Sequence, residues 1–141
     1  MDNVGVVVDD LAAAVAFFTA LGMEQEGEAE LSGSCPDQML GLDGVRTTIA
    51  MMRTPDGNGK LELTAFHSPA AIPATPSAPP PHTLGLHRVM FAVDDLDATL
   101  ARLRPHGAEL VGEVARYENA YRLCTVRGPA GILVALAEQI G

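Results

Sequence analysis

Residues 4–28 read VGVVVDDLAAAVAFFTALGMEQEGE, and residues 89–113 read VMFAVDDLDATLARLRPHGAELVGE. Aligned without a gap, eleven of these twenty-five positions are identical, among them Val4/Val89, Val8/Val93, the Asp-Asp-Leu at 9–11 and 94–96, Gly22/Gly107 and Glu24/Glu109. The correspondence continues downstream. Arg53-Thr-Pro-Asp-Gly57 precedes Leu61-Glu62-Leu63, and Arg127-Gly-Pro-Ala-Gly131 precedes Val134-Ala135-Leu136. Two agreements of this kind in one chain identify a duplicated module.

Each copy has the same layout. An apolar run such as Val4–Val8 reads as a short buried strand. The aspartates that follow supply a helix N-cap, because a carboxylate there accepts from unpaired backbone N–H groups. Leu11, Val15, Phe18 and Leu21 recur at helical spacing in the first copy, and Leu96, Leu100 and Leu103 in the second, with Gly22 and Gly107 at the ends. Strands are predicted at 24–31, 46–52 and 60–66, then at 109–116, 121–127 and 132–138. Each module is therefore β-α-β-β-β. Between them residues 68–84 hold six of the ten prolines, and such a stretch runs extended rather than helical. The division expected is 1–67 for the first module, 68–84 for a spacer and 85–141 for the second, forming one structural unit.

Composition narrows the function. The chain has 141 residues, 48% apolar and 19% charged, typical of one folded domain that needs no disulfide for stability. Eighteen acidic against nine basic side chains give a net charge of −9, which disfavours nucleic acid and anionic membrane surfaces as partners. No apolar window reaches the length of a membrane span, and no basic leader precedes an apolar core. Cys35 and Cys124 form no metal or redox spacing. A cytoplasmic setting is the expectation.

Two β-α-β-β-β modules, each with a V-D-D-L strand-to-helix junction and an R-x-P-x-G turn before the last strand, resemble the vicinal oxygen chelate superfamily of glyoxalases, bleomycin-resistance proteins and extradiol dioxygenases. The resemblance implies an α+β fold of two tandem modules whose sheets curl into a cup. It also implies a divalent metal inside, held by a His at the start of the first strand and a Glu on the last strand of each module. Homodimers are common among such proteins. Carried over residue by residue, the two His positions fall on Asn3 and Arg88, and the two Glu positions on Glu62 and Ala135. Only Glu62 keeps a usual ligand. A guanidinium is a permanent cation and alanine has no donor, so no cofactor is expected. A Glu62–Arg88 ion pair is expected where the metal would lie, with a divalent metal as the alternative. His87 is an outside candidate ligand, one residue from the matching position and on the opposite strand face.

Alternation along the strands predicts the remaining lining. Thr64 and Phe66 share the face of Glu62, Met90 that of Arg88, and Leu133 that of Ala135; the opposite parity is uniformly apolar and suits packing beneath the helices. Arg122 matches a position where relatives often carry an arginine that faces the pocket. Tyr117 and Tyr121 fall at the rim. A mostly apolar cup with a few converging polar groups is the profile of a small-molecule site. The first reading is a protein that binds a small, partly apolar metabolite or drug. The alternatives are a metal-dependent lyase, isomerase or dioxygenase, and a metal-free enzyme with Glu62 as general base and Arg88 stabilising an oxyanion.

Overall fold

The computed structural model describes all residues, 1–141. The chain divides into two compact units, Met1–Pro73 and Ala74–Gly141. The division falls within the proline-rich segment, which contains no helix or strand between Pro69 and His87.

In the first unit the order is β1 (Val4–Val7), α1 (Leu11–Leu21), β2 (Glu24–Ser32), α2 (Ser34–Leu40), β3 (Arg46–Arg53) and β4 (Lys60–Ser68). The strands form a curled sheet in the order β1-β4-β3-β2, with β1 parallel to β4 and the other pairs antiparallel. The second unit repeats this with β5 (Arg88–Val93), α3 (Leu96–Leu103), β6 (Glu109–Leu110), β7 (Ala115–Tyr117), β8 (Tyr121–Arg127) and β9 (Leu133–Gln139). Its order is β5-β9-β8-β6, with β7 also on β8. The fold is α+β, two tandem modules each with its own curled sheet.

The helices form where the sequence places their caps. Asp10 accepts from the Ala13 amide at 3.0 Å and Asp95 from the Ala98 amide at 2.9 Å, satisfying orphan donors of the first turn. From α1 the side chains of Ala14, Phe17, Phe18 and Leu21 are buried, with Phe17 and Phe18 packed edge to face at 5.1 Å between ring centres. The sheet answers with Val6, Leu61, Leu63, Ala50 and Met52. In the second unit Leu96, Thr99, Leu100 and Leu103 of α3 are buried, as are Cys124, Val126, Val134 and Leu136 of the sheet.

Two features differ from the sequence expectation. The helix α2 has no buried residue, so no apolar periodicity announces it; Pro36 is accommodated because it lies in the first turn, where no intrahelical N–H bond is lost. Asp37 ties its far end down, accepting from the amides of Gly44 at 3.1 Å and Val45 at 2.7 Å. The single strand expected at 109–116 is instead broken into β6 and β7. Between them Val111 donates its amide to the Thr125 carbonyl at 2.8 Å, and Gly112 takes a φ of 80°.

Candidate functional site

Strand register tests the downstream half of the repeat from the alignment of residues 4–28 with 89–113 alone. In the first unit Gly5 lies opposite Glu62 and Val7 opposite Thr64. In the second Met90 lies opposite Ala135 and Arg88 opposite Leu133. Since Gly5 aligns with Met90 in the repeat, Glu62 and Ala135 are equivalent positions. So are Asn3 and Arg88, each directly before the aligned valine.

One face of each sheet packs against its helix; the other is the open face. On the open face of the first unit lie Val7, Glu62, Thr64 and Phe66, with Ile49 and Met51 from the neighbouring strand. Val7 is half exposed and the three β4 residues are partly buried. The Thr64 hydroxyl donates to Glu62 Oε1 at 3.4 Å, as two side chains sharing a strand face do. Asn3 precedes β1 and donates its amide to Asp2 at 2.8 Å.

On the open face of the second unit stand Arg88, Met90 and Ala92 of β5, and Leu133 and Ala135 of β9. Thr125 of β8 pairs with Ala135 and belongs to the same face. Arg88 and Met90 are exposed, whereas Leu133 and Ala135 are buried. Arg88 has no ion-pair partner within its unit.

Here a cavity of about 360 Å³ opens. Arg88, Leu133 and Thr125 line it from the sheet, and Val111 from the break between β6 and β7. Its remaining wall is the end of the proline-rich segment, including Pro81, Thr83, Leu86 and His87. The segment is held in place by the R-x-P-x-G turn. The Arg127 guanidinium donates to the Pro79 carbonyl at 2.8 Å and to the Gly131 carbonyl at 3.0 Å, and the Ser77 carbonyl lies against the Cα of Gly131. His87 is fixed as well. Its Nε2 donates to the Leu84 carbonyl at 2.8 Å, and a carbonyl can only accept. The wall-forming role of 81–87 and the part of Thr125 were not read from the sequence. Alternation from the β8 partner of Ala135 would have found Thr125.

Arg122 takes a different place. In register it lies opposite Glu138, and it shares the face of Cys124 and Val126, which is the helix side of the sheet. Both terminal nitrogens reach Asp97 of α3 at 3.1 Å, and Glu138 lies 3.9 Å away. This pair holds the Asp97 carboxyl below its ordinary value, mainly through the Arg122 hydrogen bonds, and raises the guanidinium in turn. Glu138 accepts from the Leu96 amide at 2.5 Å. These residues build the start of α3 rather than the open face. Burial pushes the Cys124 thiol up, as expected of an inert core thiol.

Elsewhere the histidines are dispersed. His67 is hydrogen-bonded to Thr48 at 2.7 Å, and His82 and His106 are exposed. No three His, Cys, Asp or Glu side chains are grouped so as to hold a metal ion. Tyr117 and Tyr121 pair across β7 and β8 and are both exposed.

Comparison with known proteins decides the family. The family model of the glyoxalase/bleomycin resistance protein/dioxygenase superfamily matches residues 1–136. The chain belongs to that superfamily. Among solved structures, a glyoxalase family protein from Bacillus cereus is 48% identical, with a TM-score of 0.94 over 100% of this chain and 94% of that one. A glyoxalase family protein from Enterococcus faecalis shares the fold at 21% identity and a TM-score of 0.65, covering 98% of this chain and 96% of the other. A glyoxalase I mutant from Zea mays shares it at 16% identity and a TM-score of 0.70, over 100% of this chain and 45% of the maize chain. No curated protein matches. No helix is long and apolar enough to cross a membrane.

Proposed function

We propose that this superfamily member binds a small, partly apolar metabolite or drug on the open face of its second module, and that the usual metal site is largely lost. The observation that carries the reading is the cavity bordered by Arg88 and Leu133. Its cation stands where a metal-ligating histidine of the superfamily would be.

The chemistry of the four matched positions supports the loss. Borderline and hard divalent ions are held by imidazole, thiolate or carboxylate donors. Asn3 offers a weak neutral donor, Glu62 one carboxylate, Arg88 a permanent positive charge and Ala135 nothing. These residues do not fit a divalent ion. Asn3 and Glu62 belong to the first unit, Arg88 and Ala135 to the second.

The cavity volume falls at the lower end of small-molecule sites, which run from about 300 to 1,000 Å³. Its lining is mixed: Pro81, Leu86, Val111 and Leu133 give it apolar surface, and Thr83, His87, Arg88 and Thr125 bring polar groups. An amide-detected NMR screen of the metal-free protein against neutral, anionic and cationic fragments tests the reading. Hits should perturb the amides of 83–88, 111, 125 and 133. Fragments that bind only after a divalent metal is added would overturn it. Glu62→Gln separates a binder from a metal-free enzyme: in a binder the affinity of every hit is unchanged and no product accumulates in either protein.

A further inference from the structure

We propose that the ligand of this cavity is a monocarboxylate with a short apolar body, its carboxylate held by the Arg88 guanidinium. The inference rests on the cavity being the ligand site and adds the chemical class that it selects.

Charge is the first argument. The chain carries twice as many acidic as basic side chains, yet no acidic residue lines the cavity. Its polar lining is one guanidinium, one imidazole and the hydroxyls of Thr83 and Thr125. A neutral or cationic ligand seated against the guanidinium would displace water from it without supplying a counter-charge. An anion supplies that charge, in the fork geometry that guanidinium and carboxylate share.

The amount of charge narrows the class. Arg88 is the one permanent cation of the lining, and neither a lysine nor the start of α1 or α3 joins it. One positive charge balances a monocarboxylate. A phosphate monoester carries more, about −1.5 to −2 near neutral pH, and would remain undercompensated. The hydroxyls of Thr83 and Thr125 add neutral donors; that of Thr83 already donates to the Pro80 carbonyl at 2.7 Å, leaving Thr125 the freer of the two.

Preorganisation is the second argument. The backbone at Arg88 is fixed by parallel pairing with β9, and the preceding His87 carbonyl accepts from the Leu133 amide at 2.9 Å. The loop before it is closed around the imidazole, which is bonded to Leu84 and packs over Gly85, where an added Cβ would lie 3.1 Å from Nε2. Arg88 thus starts from a fixed backbone, and two apolar side chains, Leu133 opposite it in register and Leu86, line the same cavity. A carboxylate on a short hydrocarbon body matches both halves.

Calorimetric titration of the full chain with hexanoate, hexanamide and hexyl phosphate, each paired with amide NMR, tests the class. Hexanoate should bind at least tenfold more tightly than hexanamide and more tightly than hexyl phosphate, perturbing 83–88, 125 and 133. Arg88→Gln should bring hexanoate down to the affinity of hexanamide, and Arg88→Lys should retain part of the preference. Equal binding of amide and acid, a preference that survives Arg88→Gln, or tighter binding of the phosphate would each overturn the carboxylate class while leaving the cavity as a ligand site. If none of the three perturbs the cavity at millimolar concentration and no fragment does, the reading of the cavity falls with it. The wild-type series decides by itself should a variant fold poorly.

Discussion

Asp10 and Asp95 cap their helices in the same way, at 3.0 and 2.9 Å, whereas Asn3 and Arg88, at equivalent strand starts, differ by a full charge. The two modules repeat this contrast throughout. The same register joins first and last strands, and Leu63 and Leu136 occupy equivalent, fully buried positions. Outside this frame little is shared. In the second module Asp97 of α3 meets Arg122 and Glu138 on the helix side of the sheet, where the first module has Ala12, Thr48 and Ala65. The R-x-P-x-G turn secures the proline-rich segment through Arg127, but in the first module Arg53 forms only an exposed pair with Glu24 at 3.0 Å. Caps, register and core are fixed by folding in both copies. The open faces and turns are free to diverge, and that is where the cavity arises.

The frame is tested by the largest effect. Leu63→Ala and Leu136→Ala should each destabilise by about 3 kcal/mol, within the range for emptied leucine sites, and agree within about 1 kcal/mol in urea unfolding. A much smaller loss at either position would mean that the two cores are not equivalent.

Next come the turn glycines. Gly57 and Gly131 have φ of 76° and 78°, so alanine at either is strained by roughly 1–2 kcal/mol. An added Cβ at Gly57 meets nothing within 4 Å, while at Gly131 it meets the Ser77 carbonyl oxygen in direct overlap. Gly131→Ala should therefore be the more destabilising by about 1–3 kcal/mol, and it should displace the segment that walls the cavity. Equal effects would show that this segment yields freely.

A smaller difference is expected at the turn arginines. Arg127→Met removes two charge-assisted hydrogen bonds to carbonyls and should lose about 1–2 kcal/mol, together with ligand affinity, although Arg127 does not line the cavity. Arg53→Met should lose no more than about 0.5 kcal/mol, as exposed ion pairs do.

The smallest effect is a matter of pH. Arg122 holds the Asp97 carboxyl below its ordinary 3.8. The resulting stabilisation is present above that value and disappears as pH falls through the depressed one. Asp97→Asn should be less stable than wild type at pH 7 and indistinguishable from it in strong acid. Unfolding curves at both pH values check the sign.

How much of this was legible in the sequence follows from the same division. The repeat, the caps and the strand alternation are local patterns, and they located the sheets, the helix-side core around Leu63 and Leu136, and Arg88 and Leu133 on one face. Features without a local pattern were missed. α2 buries nothing, and Gly112 interrupts a strand whose flanks read as continuous. The direction of Arg122 turns on a single residue of register. Proline content indicates an extended segment but not the surface it covers, which is set by Arg127 and Gly131. That is why the wall of the cavity, and Thr83 and His87 within it, became visible only in the fold.

The proposal that Arg88 stands in place of a metal ligand has a direct experimental check. That check is metal analysis of protein purified without chelator or affinity metal, then equilibrated with zinc, nickel, manganese and ferrous iron. Far less than one ion per chain is expected under every condition; stoichiometric occupancy by any of the four would overturn the proposed loss of the metal site.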